Sequence, residues 1–138
     1  MKRSVVSVVL VLLVTVFTGC SKDDETERFK LLTGITWESD ELLVDGEDES
    51  GTGQLLAFLV GDAKFNKDGS GTFGLYEGTW YFTNNETQIT IFTPSLGVPL
   101  TTTIVELTNQ KFRISTLFPI KGDQENPNLI EISFRAKT

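Results

Sequence analysis

The chain has 138 residues, with 19 acidic and 12 basic side chains, a formal charge of −7, no histidine and a single cysteine. An acidic excess of this size excludes a nucleic-acid binder, which needs a basic face, and leaves neutral or cationic partners. Without histidine or a second thiol, Ser-His and Cys-His nucleophiles, zinc sites and internal disulfides drop out, so carboxylates, lysines and hydroxyls are the only reactive groups left.

Lys2 and Arg3 open a positive segment, and the uncharged run Val5 to Phe17 leads into Phe17-Thr18-Gly19-Cys20. That run of 13 residues falls short of the roughly 20 that a helix needs to cross a bilayer. It reads as a removable export signal, residues 1–19, that ends in a lipobox at Cys20. Acyl chains such as palmitate on Cys20 would anchor the protein, at about 0.8 kcal/mol per buried methylene. Cleavage removes Lys2 and Arg3 but no acid, leaving 119 residues and a charge of about −9. That suits one domain, and anionic membrane would repel it, leaving the lipid as its attachment. Residues 20–28 form an acidic tether and residues 29–138 the domain. Cys20-Ser21-Lys22-Asp23-Asp24-Glu25 resembles the start of many lipoproteins of the Bacteroidota, where such a run accompanies display on the cell surface. Ser21, in place of Asp, carries no inner-membrane retention mark by resemblance to Gram-negative sorting rules. Together these imply an outer-membrane position, surface-exposed or, alternatively, facing the periplasm.

Thr26 to Gly34 suits a short helical turn, with Thr26 as N-cap and Gly34 as stop. Beyond Gly34 the apolar period drops from about 3.6 to 2 and stays there. Ile35 to Val44 is β-rich, and Asp45 to Gly53 is an acidic, glycine-rich loop. Leu55 to Val60 fits either a strand or a buried helical turn. Ala63 to Phe65 and Ser70 to Tyr76 flank the hairpin turn Asn66-Lys67-Asp68-Gly69. Glu77-Gly78 separates that pair from Thr79 to Thr83. Asn84-Asn85-Glu86 then turns the chain into Thr87 to Thr93, and Pro94 to Pro99 makes a wider turn before Leu100 to Leu107. Lys111 to Phe118, a loop over Pro119 to Asn128, and Leu129 to Lys137 complete the series. Seven or eight strands with no helix long enough for a crossover predict an all-β, antiparallel, up-and-down barrel, whose closure removes exposed edges. The expected inward set is bulky: Trp37, Phe65, Phe73, Trp80, Phe82, Phe112, Ile114, Phe118, Ile132 and Phe134.

Several of these segments resemble the lipocalin-like domain of small lipoproteins. Leu32-Thr33-Gly34-Ile35-Thr36-Trp37 is similar to its opening motif, and Phe65-Asn66-Lys67-Asp68-Gly69-Ser70-Gly71-Thr72 to its hairpin. Gly78-Thr79-Trp80-Tyr81-Phe82 and Ile104-Val105-Glu106-Leu107-Thr108 are similar to later strands. The resemblance spans about residues 29–137. It implies a calycin-type barrel and, beyond lipid anchoring, little agreed function, and it carries over no site residues.

Asn66, Asp68, Ser70 and Glu77 have the spacing of a calcium loop, with Gly71 at the turn position. An Asn in first place and a β-rich exit segment count against it, and turn chemistry alone accounts for Asp68-Gly69. Asp68 with Glu77 is also the best carboxylate pair for glycoside chemistry, though neither acid is set in an apolar pocket. Asp40, Glu41, Asp45, Glu47, Asp48 and Glu49 read as a solvated acidic stretch able to meet a cation or a basic partner. Trp37 and Trp80 either line a ligand cavity or close the barrel floor as core. No catalytic residue, cofactor or metal is assigned. The expectation is a monomeric binding protein, acting on a protein or glycan partner through rim loops near 45–53 and 119–128, or taking a small apolar ligand at the mouth.

Overall fold

The computed structural model describes residues 25–49, 60–120 and 122–138. The leader, Cys20, most of the acidic tether and Leu55 to Leu59 lie outside the described residues. Among the described residues one short helix, α1 (Glu27–Gly34), precedes nine strands: β1 (Thr36–Val44), β2 (Glu47–Asp48), β3 (Asp62–Phe65), β4 (Ser70–Phe73), β5 (Tyr76–Thr83), β6 (Gln88–Phe92), β7 (Leu100–Leu107), β8 (Lys111–Phe118) and β9 (Asn128–Ala136). Strands β1 and β3 to β9 pair in chain order, and β9 returns to β1, so eight antiparallel strands close into a barrel. The two residues of β2 form a spur on the far end of β1. The fold is the predicted all-β barrel, compatible with a lipocalin-like architecture.

Alternation explains which side chains fill it. Phe112 and Ile114 on β8 pair with Phe134 and Ile132 on β9, and all four are buried, while Arg113 and Ser133 between them are half-buried and Lys111 and Arg135 in the next rung are exposed. Eight of the ten expected inward residues are buried; Phe82 and Phe118 are partly exposed and pack against that core. Rings form a continuous cluster through Phe65, which meets Phe73, Trp80 and Phe112 at centroid distances of 5.2, 5.5 and 5.7 Å. Each such contact adds about 0.5–1.5 kcal/mol beyond its buried area.

Helix α1 closes one end. Thr26 caps it, its hydroxyl accepting from the Phe29 amide at 3.1 Å, and extended Ile35 ends it. Leu32 is fully buried, and its carbonyl accepts from the Trp37 indole at 3.2 Å. Phe29 lies 5.8 Å from Trp80, and Glu25 pairs with Lys67 in the β3–β4 turn. Arg28 donates to the Glu86 carbonyl and Thr26 to the Glu86 carboxylate. Those contacts hold the β5–β6 turn, where Asn84, Asn85 and Glu86 are all left-handed, with φ of 50, 55 and 62°. Asn tolerates that region; Glu86 does so under the grip of the helix.

The strand boundary at Glu77-Gly78 is corrected. The β4–β5 turn falls at Gly74-Leu75, and Tyr76 begins β5 opposite Phe73. Leu75 looks like a strand residue in sequence yet is 83% exposed at the turn tip. Gly78 looks like a turn residue yet sits within β5 opposite Gly71, its missing side chain leaving room for the Phe92 carbonyl.

Candidate functional site

The end opposite α1 is the mouth. Turns at Asp45-Gly46 and Gly74-Leu75, the loop of residues 93–99, and residues 119–120 and 122–127 surround it. Inside it lies a cleft walled by Phe65, Phe73, Ile91, Ile114, Ile132 and Phe134, and overhung by Leu96 and Leu100. The β6–β7 loop folds Leu96 inward. The Leu96 amide donates to the Thr93 carbonyl at 3.1 Å and the Gly97 amide to the same oxygen at 3.3 Å, with Gly97 left-handed at φ 71°. Glycine meets that backbone requirement without strain.

The cleft is largely apolar, with Tyr76, Thr93 and Thr102 its only hydroxyl-bearing residues among the described residues. Among the described residues no carboxylate, amine or guanidinium lines it, and of its threonines Thr102 donates to the Ile89 carbonyl while Thr93 accepts from the Leu96 amide. Its volume is about 40 Å³, well under the roughly 300–1,000 Å³ that encloses a drug-sized ligand. Such a space admits the end of a chain or one side chain. Around it stand exposed apolar side chains: Leu75, Val98, and the cross-strand pair Leu117 and Leu129. Acidic groups stand among them. Asp45 accepts from the Leu129 amide at 2.9 Å and the Asn128 amide group at 2.7 Å, tying the β1–β2 turn to β9, while Glu47 and Asp48 are exposed.

Trp37 and Trp80 are not in this cleft's lining. Both lie at the closed end, with indole N–H groups given to the carbonyls of Leu32 and Asn66. Among the lining residues absent from the expected inward set are Ile91, Leu96 and Leu100. For Leu96 and Leu100 the signal is the apolar spacing Leu96, Val98, Leu100 across a segment that otherwise reads as connection.

The calcium-loop residues are split between turn and strand. Asp68 accepts from the Ser70 hydroxyl at 2.6 Å and the Ser70 amide at 2.9 Å, and Asn66 donates to the same hydroxyl at 3.0 Å. Those bonds, the Ser70 hydroxyl foremost, hold the Asp68 carboxyl below its ordinary range. Glu77 faces Thr72 in the β4–β5 ladder, roughly 13 Å along the hairpin from Asp68 at strand rise. The pair is therefore not brought together, for a cation or for glycoside chemistry. Among the described residues no three acidic or thiol groups converge. The acidic stretch is also divided: Asp40 and Glu41 belong to the wall of β1, whereas Asp45, Glu47, Asp48 and Glu49 stand at the mouth. No protein-family model and no curated protein matches this chain significantly.

Proposed function

We propose that this protein is a lipid-anchored outer-membrane lipoprotein of the lipocalin-like kind, displayed at the cell surface and acting by non-catalytic binding through its barrel mouth. The observation that carries the reading is the apolar, uncharged cleft at the end opposite the chain's entry. Its small size favours a partner protein or glycan-bearing assembly that inserts one apolar group while the exposed leucines and acids of the rim make the remaining contact. Clefts are the default binding sites of barrels, and hot spots centre on one well-packed anchor. The acidic rim selects a neutral or basic partner.

The anchor is tested by Cys20→Ala, which is expected to move the protein from the membrane fraction into the soluble fraction. Unchanged fractionation would remove lipidation from the reading. The mouth is tested by titrating hexanol and following methyl resonances of Leu96, Leu100 and Ile132. Saturable shifts are expected, and Leu100→Trp, which fills the cleft, should abolish them. Shifts that survive that substitution would place recognition elsewhere.

A second reading, a free small apolar ligand, is favoured by the absence of any polar group needing a partner inside. It predicts affinity near micromolar for some single-chain alkyl compound, about 4 kcal/mol tighter than the millimolar binding expected of an isolated anchor group.

A further inference from the structure

The outer wall carries a second concavity, of about 250 Å³, where β7, β8, β9 and β1 run side by side. Its shape follows from strand register. Glu106, Arg113, Ser133 and Glu41 form one outward row across these four strands, and Lys111, Arg135 and Glu38 form the next. Ser133 is the only short side chain in either row, so it becomes the floor and its long neighbours the walls. Bulges flank the depression, one between Ser39 and Glu41 and one between Ile104 and Glu106. In a regular strand Asp40 and Glu41 would point to opposite faces. The bulge brings both to this concavity, and bulges commonly re-aim side chains in this way.

Stability does not account for the arrangement. Lys111 lies directly opposite Arg135, a like-charge cross-strand pair that weakens a sheet. Arg135 is paired closely with Glu38, at 3.1 Å, but its contact with Asp40 and that of Arg113 with Glu106 are loose, at 3.9 Å each. Exposed pairs of that kind contribute little. Two charges remain without an ion pair or side-chain hydrogen bond to any described residue: Lys111 on β8 and Glu41 on β1. They have opposite signs and stand on opposite sides of Ser133.

We propose that this depression binds a small zwitterion, an amino acid or dipeptide, with its carboxylate toward Lys111 and Arg113 and its ammonium toward Glu41 and Asp40. Strands β8 and β1 lie two spacings apart, roughly 10 Å, and the ends of an extended dipeptide lie about 7 Å apart. Long side chains leaning from each side close the difference. The volume is below that of drug-sized sites, which suits a ligand of this size. Balanced charge supplies selectivity, because a lone anion meets Asp40, Glu41 and Glu106, and a lone cation meets Lys111, Arg113 and Arg135. The site is independent of the mouth and of the lipid.

The test titrates the purified full chain in detergent with glycylglycine, N-acetyl-glycylglycine and glycylglycine amide, following backbone amides of β8, β9 and β1. Glycylglycine is expected to bind saturably, and each end-blocked analogue to bind at least about tenfold more weakly. Lys111→Gln should weaken glycylglycine but leave the amide unaffected, Glu41→Gln should weaken it but leave the acetylated form unaffected, and Leu100→Trp at the mouth should change neither. Equal binding of the three peptides, no saturation up to about 10 mM, or indifference to both substitutions would overturn the assignment. Amide dispersion in the same spectra reports whether each variant is folded, so a loss of binding is not mistaken for a loss of structure.

Discussion

Replacing Trp37 by alanine is expected to destabilise the barrel by about 4 kcal/mol, within the range for deleting a large buried aromatic. Trp37 is fully buried at the start of β1, where it pairs with Ala63 on one side and Ala136 on the other. Its ring lies 5.4 Å from Phe112, and its N–H holds the carbonyl of fully buried Leu32 in α1. Alanine therefore opens a cavity and frees the helix from the barrel floor at once. Trp37→Phe keeps most of the volume but leaves that carbonyl without its donor, so about half the loss should remain. Denaturant midpoints of the three proteins decide it. A loss under about 1 kcal/mol for the alanine variant would mean the floor repacks freely.

Gly78→Ala is expected to cost about 3 kcal/mol, at the upper end of overpacking effects. A Cβ there would fall 2.1 Å from the Phe92 carbonyl oxygen and 3.0 Å from the Thr93 methyl. The obstacle is backbone of the neighbouring strand, which cannot rotate aside as a side chain does. Gly34→Ala is the control: nothing lies within 4 Å of that Cβ, and its stability should match the parent. Equal midpoints for Gly78→Ala and the parent would show that β5 and β6 separate without penalty.

These two positions also show what sequence pattern conveys. Period-2 alternation exposed the barrel because each strand buries one face, and residues such as Phe112 and Ile114 declare that face locally. Gly78 and Leu75 escape a local reading because their roles depend on partner strands: one is a strand residue with no room for a side chain, the other an apolar tip left exposed among the described residues. The mouth cleft was legible only as a general expectation, since Ile91, Leu96 and Leu100 converge through barrel closure and the backward fold at Thr93. Trp37 and Trp80 stand out in sequence as large amphipathic rings, and backbone carbonyls, of Leu32 in α1 and of Asn66 in the β3–β4 turn, take up their N–H groups. The outer depression was hidden more completely. Its charges alternate with buried residues as any solvated wall would, and the bulges that align Glu106, Arg113, Ser133 and Glu41 leave no mark in composition.

The seam between β1 and β9 has a consequence for assembly. It joins Trp37 to Ala136 and Val44 to Ile130, whereas the other rungs of the ring link strands that are near neighbours along the chain. Local hairpins can zip in sequence, but this last rung must gather nearly the whole domain, the contact that loop entropy delays most. Until it forms, β1 and β9 both present unpaired backbone to other chains. If the local hairpins form first, the docking of β9 on β1 is the step that converts an open, adhesive ribbon into a sealed ring.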